Sequence, residues 1–178
     1  MRRVEGLRGT AMVTKGGSVE ADLAGGPADA EAGVTCTSGT RFQLCSVSKQ
    51  FVAAAVMLLV ESGRLDLGEP VDRWLPEGPP QWRQVTLHHL LSHTAGIPHW
   101  LEAPGLDPAE PMRISERLEV IQAFAGHAAW YHPGDNPGYQ SLACWIPDRA
   151  ASIVILVNDE AASITGLLRQ LLPAAVEP

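Results

Sequence analysis

The sequence predicts an α+β protein, because clear strand signals and clear helix signals share one chain. Gly9 to Thr14 and Ser18 to Leu23 are short strand candidates on either side of Lys15-Gly16-Gly17, the composition of a hairpin turn. Ten consecutive apolar residues, Phe51 to Val60, close at Glu61-Ser62-Gly63, where Gly63 suits the left-handed position just past a helix. The β-branched run Ser152 to Val157 precedes a helix with Ile164, Leu167, Leu168, Leu171 and Leu172 on one face, for which Asp159 is the expected cap.

Each element carries further expectations. A helix apolar all round is predicted to be buried, and Phe51 to Val60 is too short to cross a bilayer. Gly25 to Gly39 is small and polar and reads as a loop. Thr86 is placed to cap a short helix from Leu87 to Ser92, ended by Thr94-Ala95-Gly96. Trp100 to Met112 is proline-rich and irregular, and Ser115 is the expected cap of a helix with Leu118, Ile121 and Phe124 on its face. Tyr139 to Trp145 alternates weakly, and Pro147-Asp148-Arg149 turns the chain.

At 178 residues the chain can bury a sizeable core. Its hydrophobic share of 46% and charged share of 19% are ordinary for a globular protein. A formal charge of −7 without any basic run argues against a nucleic-acid partner. Arg2, Arg3 and Arg8 are followed by no apolar stretch typical of a signal peptide, so the chain as written reads as cytoplasmic with no membrane span. Cys36, Cys45 and Cys144 are odd in number and imply no disulfide framework.

The chemistry concentrates at the start of the apolar helix. Ser46 and Lys49 lie three apart and would share a helix face. In a buried first turn the helix dipole and desolvation would both favour a neutral lysine, able to take the serine proton. The backbone N–H of Ser46, at the helix start, could point at a developing oxyanion. The plainer alternative has Ser46 capping the helix and Lys49 reaching to the surface. His88, His89 and His93 invite a metal reading through the i, i+4 pair. Leu90 follows where a zinc hydrolase needs Glu, and no carboxylate cluster stands nearby, so no metal and no other cofactor is expected.

Ser-x-x-Lys is the nucleophile motif of serine β-lactamases and penicillin-binding proteins. Together with Thr40-Arg41-Phe42, Gly63-Arg64-Leu65-Asp66-Leu67 and Leu90-Leu91-Ser92-His93-Thr94-Ala95-Gly96-Ile97-Pro98, it resembles the β-lactamase-related serine hydrolases over most of residues 36–100. That family includes class C β-lactamases, penicillin-binding proteins and esterases. The resemblance implies an antiparallel sheet flanked by the Ser46 helix and the C-terminal helix, with the N-terminal hairpin at one sheet edge. His132-Pro133-Gly134, running on through Asp135-Asn136-Pro137-Gly138, is similar to the family's His-x-Gly motif. It implies that His132 and Gly134 face the pocket and that the Asp135 N–H completes the oxyanion hole with that of Ser46. A Pro-Gly turn beside an exposed histidine is the alternative. Pro133 departs from the family by removing a strand N–H.

The family's Tyr-x-Asn motif is missing between Gly96 and Gly134. Tyr139-Gln140-Ser141 is the nearest pattern but falls after the His-x-Gly motif, leaving Tyr139 or His132 to relay protons. The expectation is therefore one β-lactamase-like domain over residues 1–178, shortened inside, with a reduced helical subdomain over about 64–127. The leading function is a serine hydrolase forming an acyl-enzyme on Ser46, with a β-lactam, an ester or a D-amino acid peptide as its small-molecule substrate. The alternative is a non-catalytic remnant of the family. Because related proteins are often exported, a segment preceding Met1 would alter the cytoplasmic reading. Uncovered apolar surface would favour self-association.

Overall fold

The computed structural model describes residues 4–97, 128–159 and 161–177. They fall in two compact units, one of Met1–Ser48 and Pro111–Pro178, the other of Lys49–Glu110.

The first unit is built on a five-stranded antiparallel sheet in the order β2-β1-β7-β6-β5. Strands β1 (Gly9–Lys15) and β2 (Ser18–Gly25) form the N-terminal hairpin. Gly16 and Gly17 both take positive φ, as the tight two-residue turn between them requires. The stretch expected to be a loop contains a small ribbon of β3 (Pro27–Asp29) and β4 (Val34–Thr35). Strands β5 (Trp130–Asn136), β6 (Tyr139–Ile146) and β7 (Ala151–Val157) complete the sheet, β5 at its edge.

One sheet face holds the core. Ala11, Val13, Leu142, Cys144, Ile146, Ile153, Ile155 and Val157 pack with Leu167, Leu168, Leu171 and Ala175 of the C-terminal helix. That helix spans Ile164–Val176, and as the last helix described it is α3 below. Its apolar face is the one the sequence predicts, but its cap is Ser163, whose hydroxyl accepts from the Gly166 N–H. Asp159 sits earlier and accepts from Ala161 N–H in a separate turn. A capping oxygen reaches only two or three residues ahead, so Asp159 is too distant from the first helical turn.

In the second unit, α1 (Ser48–Glu61) follows a 3₁₀ turn at Cys45–Val47 that belongs to the first. Gly63 ends the helix at φ +69, with the Gly63 N–H bonded to Val60 O. The expected burial is not observed: α1 has no buried residue, and Phe51, Val52 and Leu58 are each more than half exposed. An all-round apolar helix needs partners on every side. The described remainder of its unit supplies only two 3₁₀ turns, Val71–Arg73 and Pro80–Gln84, and the five-residue α2 (Leu87–Leu91). Thr86 caps α2 as predicted, accepting from His89 N–H while His89 Nδ1 accepts from Thr86 N–H. The predicted irregular stretch at Trp100 to Met112 and the helix after Ser115 lie outside the described residues, as does the whole of the proposed helical remnant beyond residue 97.

Candidate active site

Ser46 is the middle residue of the 3₁₀ turn Cys45–Val47. The Leu44 carbonyl opens this turn by accepting the Val47 N–H at 3.0 Å. Cys45, immediately before Ser46, holds φ at +50, a left-handed conformation that costs a residue with a Cβ about 1–2 kcal/mol. A residue stays in such a conformation only when its surroundings fix it. Val47 is buried and Ser46 half-buried.

The surroundings are the edge of the sheet. Gly134, buried on β5, lies against this turn so closely that an added Cβ would stand 2.9 Å from Ser46 N and 2.7 Å from Leu44 O. The Ser141 hydroxyl, opposite Gly134 on β6, donates to Leu44 O at 2.8 Å. Asn136 Nδ2 donates to Gln43 Oε1 at 3.4 Å just ahead of the turn. Three separate positions on the β5–β6 hairpin therefore seat the segment that carries Ser46.

Register fixes the direction of the edge groups. Pro137-Gly138 is a two-residue turn, with Gly138 at φ +80, closed by the pair Asn136 and Tyr139. A closing pair exchanges both backbone bonds, so Asn136, Gly134, His132 and Trp130 bond inward to β6. Tyr131, Pro133 and Asp135 then aim their backbone nitrogens outward from the sheet edge. Pro133 costs the ladder nothing there, since an edge strand accepts proline on its outward side. The Asp135 N–H shares that outward direction.

The remaining predicted residues are distributed as follows. His132 is half-buried on the same sheet face as Gly134 and Ser141. Its Nδ1 lies 2.7 Å from Pro133 O. A carbonyl only accepts, so Nδ1 is the donor in this contact, and in the neutral ring the lone pair is then on Nε2. Tyr139 is half-buried where β6 begins. Lys49 is in the first turn of α1, three residues along from Ser46, and is exposed. The burial on which the sequence argument for a neutral lysine rested is therefore not present. Cys45 has its thiol pushed up from the ordinary value, first by burial and then by the Asp135 carboxylate.

Ser141 and Cys45 escape the sequence reading. A serine in a weakly alternating strand gives one usable signal, a hydroxyl among apolar neighbours. Among the described residues no three His, Cys, Asp or Glu side chains cluster as a metal site, and no helix is long and apolar enough to cross a membrane. An open cleft of about 680 Å³ in the second unit, lined by Val60, Arg64, Leu65, Leu67, Glu69 and Arg73 among others, shares no residue with the Ser46 turn.

The chain is 45% identical over 155 residues to Esterase EstB of Burkholderia gladioli, covering 80% of this chain and 39% of that one. It is 37% identical over 145 residues to Penicillin-binding protein 4* of Bacillus subtilis strain 168, covering 77% of this chain and 31% of the relative. The chain thus spans well under half the length of these relatives. Its fold matches the crystal structure of a penicillin binding protein from Bacillus halodurans at TM-score 0.70 and 15% identity, over 93% of this chain and 96% of the other. The family model described as Beta-lactamase matches residues 2–150, and the chain belongs to the β-lactamase family of serine hydrolases.

Proposed function

We propose that the chain is a serine hydrolase that forms an acyl-enzyme on Ser46, with an ester, a β-lactam or a D-amino acid peptide as substrate. The observation that carries this reading is the close seating of Gly134 on the Ser46 backbone nitrogen, which puts the His-x-Gly edge beside the nucleophile turn. The Ser46 hydroxyl attacks the substrate carbonyl while Lys49, the base by its spacing, takes the proton. The N–H groups of Ser46 and Asp135 receive the oxyanion. His132, through the Nε2 lone pair, or Tyr139 serves the proton transfers that Tyr-x-Asn serves in the family. Identity to an esterase makes an activated ester the first substrate to try.

The second reading, a non-catalytic remnant, is favoured by the lack of any buried residue on α1 and by the absence of Tyr-x-Asn. Either reading takes the chain as one β-lactamase-like domain shortened between about residues 64 and 127 and prone to self-association through exposed apolar side chains. Labelling with a fluorophosphonate, mapped by peptide mass spectrometry, separates the two. The hydrolase places one label on Ser46 and gives a nitrophenyl acetate burst followed by slow release. Ser46→Ala loses both, and Lys49→Ala slows labelling by about 10²–10⁴, the usual worth of acid–base assistance. Folded wild-type protein that takes no label hands the argument to the remnant.

A further inference from the structure

We propose that Ser141 is a positioning residue, whose buried hydroxyl holds the Leu44–Val47 turn on the sheet and so aims Ser46. The inference rests on the reading of Ser46 as nucleophile and adds a part that neither motif contains.

Ser141 is 1% exposed, and the only other buried polar side chain among the described residues is Thr165. A hydroxyl so fully buried is costly unless bonded, and Ser141 stands on the face of β6 turned toward Gly134, opposite the face that carries Leu142 and Cys144 into the core. Its single proton has two acceptors in reach, Leu44 O at 2.8 Å and Gly134 O at 3.4 Å. The shorter is the better bond, so the proton goes to Leu44. Leu44 O then accepts twice, from Ser141 and from Val47 N–H, which fills both of its lone pairs. This doubly held carbonyl is immediately followed by Cys45 in its left-handed conformation. A strained residue tends to relax unless its flanks are held. Leu44 is held by Ser141 on one side, and Val47 is buried on the other. Ser46 lies between those two fixed points.

Packing enforces the same arrangement. A Cβ at Gly134 would fall 2.4 Å from Ser141 Oγ, so the glycine leaves the space through which the hydroxyl reaches Leu44. Neither residue achieves the contact alone. Ser141 touches no position where substrate would react, and its effect on chemistry runs through the backbone of the turn.

The test compares wild type, Ser141→Ala and Thr165→Ala in the full chain. Thr165→Ala removes the other buried hydroxyl, on α3, and controls for general loss of stability. Two quantities are read: the saturating rate and half-saturation concentration of fluorophosphonate labelling, and hydrogen exchange of the Val47 amide. Losing one buried hydrogen bond should speed Val47 exchange in Ser141→Ala by about five- to tenfold. The saturating labelling rate should fall by a similar factor, with the half-saturation concentration unchanged. Thr165→Ala should leave both at wild-type values. Wild-type labelling that persists at full rate in Ser141→Ala overturns the proposal, as does an equal slowing in Thr165→Ala. If folded wild type takes no label, the acyl-enzyme reading fails on its own. The exchange measurement then decides whether Ser141 anchors the turn, and unchanged Val47 exchange refutes that anchor too.

Discussion

An added Cβ at Gly134 would meet Ser141 Oγ at 2.4 Å, Leu44 O at 2.7 Å and Ser46 N at 2.9 Å, all closer than real Cβ contacts come. Two of these atoms are backbone and cannot swing aside. Gly134→Ala should therefore push the turn off the sheet at a cost of about 1–3 kcal/mol, the usual range for overpacking. Urea unfolding would measure that loss, and the same variant should lose fluorophosphonate labelling. Unchanged stability would mean the turn is not seated as described. Cys144 gives a second prediction of a different kind. Burial pushes its thiol up from 9.0 to about 11, against a weaker lowering by a bond with the Ile153 backbone. The folded chain then keeps the proton that the unfolded chain releases first. This contribution to stability is complete below about pH 9 and is lost as pH rises through about 11. Urea midpoints between these values should fall more steeply for wild type than for Cys144→Ala, and parallel slopes would contradict the burial. Residues of this kind differ in how well a sequence displays them. The proposed pair Ser46 and Lys49 stands out in the sequence because three-residue spacing is itself a geometric statement. Ser141 is not, because its partner is a backbone carbonyl 97 residues away, and no side-chain pattern marks a carbonyl.

Elements read well wherever local chemistry alone decides them. The two glycines that take positive φ announce the β1–β2 turn, and Thr86 announces the start of α2. The face of α3 follows from apolar spacing, since Leu167, Leu168 and Leu171 meet the sheet as the period requires. Its cap was less legible: Asp159 and Ser163 both have capping oxygens, and only the path of the chain selects Ser163. β5 was legible as a motif and hard to read as a strand. Pro133 normally argues against a strand, and its tolerance here depends on β5 being the edge strand with that nitrogen outward. Sheet order is a non-local property, so nothing near Pro133 reveals it. Burial of α1 failed for the same reason. An apolar run states what a helix would bury if covered, and the cover must come from other parts of a chain.

At the scale of the whole molecule, uncovered apolar surface has a consequence for association. Phe51 and Leu58 are each 65% exposed, and seven residues apart on a helix they lie on one side of α1. On the sheet face away from α3, Trp130 is 72% exposed beside its register partner Trp145. Contiguous exposed apolar patches above about 400 Å² favour association, and one large side chain would be unremarkable where several neighbours are not. The net charge of −7 opposes association, but it acts through solvent and is screened by salt within about 8 Å at physiological ionic strength. Burial of aromatic and aliphatic side chains is not screened, so contact should prevail as salt increases. Sedimentation velocity over a concentration series is expected to show dimers or larger species, more of them at higher salt. Replacing Phe51 and Leu58 together by lysine should reduce them, with little loss of fold because both side chains are exposed. Association that the double substitution leaves untouched would move the contact to the tryptophan face. A monomer at every concentration and salt would show that these side chains do not drive contact between copies, and would count against reading the chain as a shortened fold with uncovered surface.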